Sequence, residues 1–222
     1  MIYKFAFGDL LPYADVFLAG LLFTIVLTLF STIAGIAIGV CGAAVRSFGP
    51  IWAARIFGAY VEVIRNTPFI VQLFFIFFGL PAAGVKLSEQ QAAFLAMTIN
   101  LGAYSTEIIR AGVTAVPRGH IEAGASLAMT KLEIFRHIIL KQALQKIWPA
   151  LSSQIIIVML GSSVVSQISA EDLTYAANFV QSRNFRAFES YFVVALAYLA
   201  LAIALRATLR ALGKRLFRSP AP

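Results

Sequence analysis

Charged side chains make up 13% of this 222-residue chain and apolar ones 60%, so the few places where polar groups gather carry its chemistry. Glu62 and Arg65 lie three positions apart, as do Glu107 and Arg110. A carboxylate and a guanidinium at that spacing share a helix face and can pair. The four charges fall near two helix ends, where they are expected to act as interface ion pairs in one network, in a structural or a gating role. Gln72, Asn100, Tyr104, Ser162 and Ser163 sit inside long apolar stretches. Lipid satisfies no polar group there, so each must face a partner helix or a water-filled cavity. A serine alone often bonds back to its own helix. Together, however, the set suggests a neutral lining suited to a hydrophilic solute. The third grouping is 117–149, PRGHIEAGASLAMTKLEIFRHIILKQALQKIWP, the longest run that is both basic and amphipathic.

The elements around these groups are set by hydropathy. A mean hydropathy of +0.84 excludes an ordinary soluble domain. Five segments are long enough to span a bilayer core, which requires ~20 mostly apolar residues, near 16–45, 66–85, 90–109, 147–170 and 189–209. The expected fold is all-α, one polytopic membrane domain over 1–222. The excess of 18 Lys+Arg over 10 Asp+Glu could suggest nucleic acid, but its distribution argues for topology. Arg46, Arg55, the 117–149 segment and the tail Arg206, Arg210, Lys214, Arg215 and Arg218 fall on one side if the spans alternate. The positive-inside rule then places the N-terminus outside and the C-terminus in the cytoplasm. The first apolar run is too long for a cleaved signal peptide, and the single Cys41 makes no disulfide or thiolate metal site within the chain.

Local signals refine the elements. Pro117 suits a helix start, and a short helix is expected from about Arg118 to Ala128 with Ile121, Ala125 and Ala128 on one face. Thr130–Glu133 reads as a capping box. A second helix follows, with Leu132, Phe135, Ile138, Ile139 and Gln142 in register. Ser88–Gln91 is another capping box, Asn66-Thr67-Pro68 a start or kink, and Gly35-xxx-Gly39 a close-packing pattern. Residues 1–15 read as an interfacial helix. Leu173, Ala176, Ala177 and Val180 predict a short outer helix. No phosphate-binding loop, paired-His metal motif or nucleophile beside a His and an acid is present, so the chain is not expected to be an enzyme or to bind a cofactor itself.

Glu122-Ala123, followed at the right spacing by Ile138-x-Leu140, resembles the cytoplasmic signature of ABC-importer permeases, E-A-A-x3-G-x9-I-x-L-P. Gly124, Ala128 and Lys141 depart from it. VEVIRNTPFIVQLFF (61–75) and AYSTEIIRAGVTAVPRGHIEA (103–123) are similar to the polar-amino-acid branch of that family. The resemblance implies a bacterial inner-membrane permease subunit that moves a polar amino acid by alternating access. It further implies a second permease subunit, two ATPase subunits that bind ATP and Mg, an extracytoplasmic solute-binding protein, and contact with membrane lipid but no nucleic acid. Residues 118–129 would be the coupling helix, with Arg118, Gly119, His120, Glu122, Ala123, Ser126 and Ala128 at the ATPase. Glu122 would either bond within the segment, where a carboxylate near a helix start stabilises exposed amides, or contact the ATPase. A left-handed turn at Ala128 would be strained. The Lys-Asp pair many relatives carry in span four is replaced by Leu160-Gly161 within Leu160–Val164, so charge-based recognition does not carry over. A non-transporting membrane anchor or receptor subunit is the alternative function. An ion-coupled transporter is disfavoured, because the mid-membrane region has no acid to carry a proton.

Overall fold

Short polar breaks divide a chain whose described residues are otherwise helical, with no strand among them. The computed structural model describes residues 4–217. The expected basic anchor residue Arg218, the first three residues of the expected N-terminal helix and the side chain of Lys141 lie outside what it describes. A 3-10 helix, Phe7–Tyr13, runs directly into α1 (Ala14–Phe48), so the N-terminal stretch continues the first span instead of forming a separate helix. Next come α2 (Ile51–Arg65), α3 (Phe69–Ala82) and α4 (Glu89–Thr114). The short α5 (Arg118–Ser126) leads through Lys131–Glu133 and a π-helical segment, Ile134–Ile139, into α6 (Leu140–Gly161). A 3-10 segment, Ser162–Ile168, extends α6 before α7 (Leu173–Asn184) and α8 (Ala187–Leu216).

Among the described residues, four stretches are long and apolar enough to cross a membrane: Phe7–Phe48, Glu89–Thr114, Gln142–Ile168 and Ala187–Leu216. The pair α2 and α3 makes a fifth only as a broken span or a re-entrant loop. The expected second span at 66–85 overlaps α3, the second half of that pair. At ~1.5 Å per residue α3 alone reaches roughly 21 Å, short of the ~30 Å core. Residues expected to link the first two spans instead form α2. The break arises where Asn66 and Thr67 turn their side chains back onto the carbonyls of Glu62 and Val63, both at 2.8 Å. Pro68 then bars the preceding residue from helical geometry.

Packing groups the residues into two compact units. One comprises the chain through Ser31, with Phe69–Met97 and Ile156–Ala207. Here Phe94 meets the edges of Phe23 and Phe30. Leu173, Ala176, Ala177 and Val180 of α7 are all buried, as their spacing predicts. Close approach to α1 is possible because residue 20 is glycine: a Cβ there would sit 2.8 Å from the Asp172 carbonyl. Thr24 Oγ1 accepts the Leu173 amide at 3.2 Å. Asp172 caps α7 by accepting the Tyr175 amide, and it also accepts the Tyr198 hydroxyl, both at 2.8 Å. The start of the chain is tied to α8 through an Asp9–Arg186 ion pair at 2.8 Å and the Ala6 amide donating to Glu189 at 2.9 Å.

The other unit comprises Thr32–Pro68, Thr98–Ile155 and the chain from Thr208. Gly35, Gly39 and Gly42 of α1 lie against Leu101, Ser105 and Thr106 of α4. A Cβ on Gly39 would meet Ser105 Cβ at 2.5 Å, so the small-residue stripe is what lets these helices touch. A buried apolar cluster follows, centred on Ile109, Val113, Ile134, Phe135, Ile139 and Ile147. Trp148 donates its indole N–H to the Leu209 carbonyl at 3.0 Å.

Candidate coupling segment and polar sites

The segment between α4 and α6 is built from local rules. Pro117 (φ −59°, ψ 136°) sits at the N-cap of α5, one position before the first helical turn anticipated for it. All seven expected coupling residues, Arg118, Gly119, His120, Glu122, Ala123, Ser126 and Ala128, are exposed. The inward face differs from the expected one: Gly124 is buried and Ile121 half-buried, whereas Ala125 and Ala128 face out. A Cβ on Gly124 would come within 2.7 Å of Ile138 Cδ1, so glycine at this signature position lets α5 lie close on the π segment. Ser126 donates its hydroxyl to the Glu122 carbonyl at 3.0 Å. The Glu122 carboxylate makes no hydrogen bond or ion pair among the described residues, which leaves it available to another chain.

α5 ends with Ala128 at φ +58°. The Ala128 amide donates to Ala125 O at 3.0 Å and the Met129 amide to Gly124 O at 3.2 Å, the paired bonds of a Schellman turn. An alanine therefore holds the left-handed position, and the strain expected of it is present. The Thr130 capping box forms in both directions. The Thr130 amide, with its hydroxyl, holds the Glu133 carboxyl below the usual carboxylate range. The π turn at Ile134–Ile139 shifts the buried stripe of the second helix. Ile134, Phe135 and Ile139 are buried, and Leu132, expected inside, is 72% exposed.

The ion network is rearranged. Glu107 pairs with Arg110, as its spacing predicts, and also accepts Arg46 Nη1 of α1 at 2.7 Å. Glu62 and Arg65 do not pair: the Glu62 carboxylate accepts Asn66 Nδ2 at 3.0 Å, and the Arg65 guanidinium lies over the Tyr104 ring, 5.5 Å from its centroid. Arg46 is missed by spacing arguments because it is 61 positions from Glu107.

The expected solute-path residues are divided between the units. Gln72, Ser162 and Ser163 belong to one, Asn100 and Tyr104 to the other. Gln72 is buried on α3, which packs against the 3-10 segment that Ser162 opens. Ser162 and Ser163 donate to the carbonyls of Met159 and Leu160 at 2.7 and 2.9 Å. Their hydroxyl protons are thus spent on their own helix.

Known proteins match this arrangement. A family model described as "Binding-protein-dependent transport system inner membrane component" matches residues 31–218. The chain is 37% identical to the probable glutamine ABC transporter permease protein GlnM of Bacillus subtilis (strain 168) over 214 residues, 96% of this chain and 97% of that one. It is 33% identical to the glutamine transport system permease protein GlnP of Escherichia coli (strain K12) over 215 residues, 96% and 98% of the two chains. Its structure aligns with a chain from the crystal structure of an amino acid ABC transporter with histidines. That alignment has a TM-score of 0.86 and 34% identity over 96% of this chain and 100% of the other. The MetNI methionine ABC transporter in an inward-facing form shares the fold, with a TM-score of 0.79, at 21% identity over 94% of this chain and 99% of that one. The chain belongs to the family of inner-membrane components of binding-protein-dependent transport systems: it is a multi-pass permease subunit of an ABC importer.

Proposed function

We propose that the chain, paired with a second permease subunit, carries a polar amino acid inward by alternating access, driven by separate ATPase subunits seated against residues 118–129. ATP and Mg bind on those partners, and an extracytoplasmic solute-binding protein delivers the solute to the outer face. The N-terminus lies outside and the C-terminus in the cytoplasm, which puts α5 on the ATPase side. The observation that carries this reading is the geometry of α5: a short helix with every expected contact residue exposed, seated on a buried apolar cluster that includes residues of α1, α4 and α6. A push on α5 is thereby delivered to three helices through close-packed side chains, which transmit displacement because they leave few voids. The relatives' names, glutamine and, for the TcyB permease of Bacillus subtilis, L-cystine, support a polar amino acid as solute. Gln72, Asn100 and Tyr104 are the neutral groups assigned to its path. Ser162 and Ser163 contribute carbonyl and hydroxyl lone pairs more readily than protons.

The test is ATPase stimulation by the cognate solute-binding protein in reconstituted vesicles, with 118–130 intact or replaced by a Gly/Ser linker. Stimulation that survives the replacement would sink the coupling role and favour a membrane anchor. Titrating the binding protein with amino acids identifies the solute.

A further inference from the structure

We propose that Gln142 and Lys146 are positioning residues for the coupling segment. On one face of α6 they hold the two ends of the connection Ala115–His120 and so fix the angle at which α5 meets its ATPase. This rests on the coupling role proposed above.

The last carbonyls of a helix have no partner within it, and the Ala115 carbonyl stands at the end of α4. Lys146 Nζ donates to it at 2.6 Å, a cation where the helix dipole favours one. The approach depends on Gly112, where a Cβ would lie 2.6 Å from Ile147 Cγ2 and 3.1 Å from the Ala143 carbonyl. One turn earlier on α6, on the same face, Gln142 Oε1 lies 2.8 Å from His120 Nδ1. Gln142 Oε1 can only accept, so the His120 tautomer is the one with Nδ1–H donating. Between these two contacts the connection has only local backbone bonds, the Val116 amide to the Val113 carbonyl at 3.2 Å and the His120 amide to the Pro117 carbonyl at 3.1 Å, and neither reaches α6. Ala115, Val116 and Pro117 carry no polar side chain, and Pro117 gives α5 no side-chain cap. The apolar contacts of Ile121 and Gly124 set the depth of α5, but such contacts are non-directional. Hydrogen bonds prefer a narrow range of angles, so the two bonds to α6 set its heading. His120 thus acts through Gln142, not only by touching the ATPase.

The experiment uses the full complex of permease, ATPase subunits and solute-binding protein in vesicles, measuring solute moved per ATP hydrolysed and the apparent KM for the binding protein. His120→Ala, Gln142→Ala and Lys146→Met are each expected to lower the transport-to-hydrolysis ratio, roughly three- to tenfold, the scale of one hydrogen bond, with KM unchanged. The double variant H120A/Q142A should be no worse than His120→Ala alone, because the second change removes no bond the first has left. Gln142→Glu, which keeps an acceptor oxygen, and Lys146→Arg, which keeps a donor, should restore most of the ratio. A defect in His120→Ala alone, with Gln142→Ala and Lys146→Met at the wild-type ratio, overturns the proposal and assigns His120 to direct ATPase contact. Failure of Gln142→Ala and Lys146→Met to assemble also overturns it, since a brace for orientation is not needed for folding. A wild-type complex without any bound ATPase overturns the coupling reading itself, which is a distinct result.

Discussion

The Asp172 corner and the 115–142 segment are both held by polar contacts, under opposite conditions. Asp172 is fully buried, and its oxygens accept the Tyr175 amide and the Tyr198 hydroxyl. On the segment, the bonds from Lys146 to Ala115 and between His120 and Gln142 are exposed. A buried polar group left without its partner keeps its full desolvation cost, whereas an exposed one turns to water. The first region therefore holds the fold, and the second can be adjusted without unfolding it. Stability and coupling reside in different kinds of contact.

Breaking the buried corner should have the largest effect. Asp172→Ala takes a buried acceptor from two part-buried donors and is expected to lower stability by about 2 kcal/mol, read as the thermal midpoint of the detergent-solubilised complex. Burial pushes the Asp172 carboxyl up to about 6, from an ordinary value near 3.9. The folded chain therefore binds this proton more tightly than the unfolded one. Its contribution to stability is fully present below the ordinary value and is lost as pH rises through about 6, by ~1.4 kcal/mol per unit of separation. The midpoint should fall from pH 4 to pH 7, and Asp172→Asn should flatten that slope. A steep slope retained in Asp172→Asn would assign it to other groups.

Intermediate cases sharpen the contrast. Glu107→Gln leaves Arg46 and Arg110 facing each other without their shared carboxylate. Because the three groups are partly exposed, the loss should be only about 1 kcal/mol, measured by denaturant unfolding in micelles. Ala128→Gly relieves the left-handed alanine and should raise stability by ~0.5–1 kcal/mol. No gain would mean that the turn relaxes in solution. The smallest effect on stability belongs to Glu122→Ala, within ~0.5 kcal/mol of wild type. The same change should lower ATPase stimulation several-fold, since its exposed carboxylate is assigned to a partner. A large stability loss there would return Glu122 to a role inside the segment.

What was legible in the chain is local. The capping boxes at Ser88–Gln91 and Thr130–Glu133 form as their spacing predicts, because both partners lie within one helical turn. The α7 stripe and the Glu107–Arg110 pair follow for the same reason. The failures share a different cause. Glu62 and Arg65 have the right spacing, but each finds a better neighbour in Asn66 and Tyr104. Leu132 falls outside its expected face because a π turn changes the period that pattern reading assumes.

By itself, then, the sequence determined that this protein is helical and membrane-bound, where its capping boxes form, and which short segment stands outside the apolar runs. Hydropathy over some twenty residues and bonds within one turn need no knowledge of the rest of the chain. Only the tertiary structure decided that Arg46 completes the Glu107 network and that Gln142 and Lys146 hold the start of α5. Those contacts depend on which helix faces meet. That in turn depends on glycines at 39 and 112, where the absence of a single carbon lets two backbones approach.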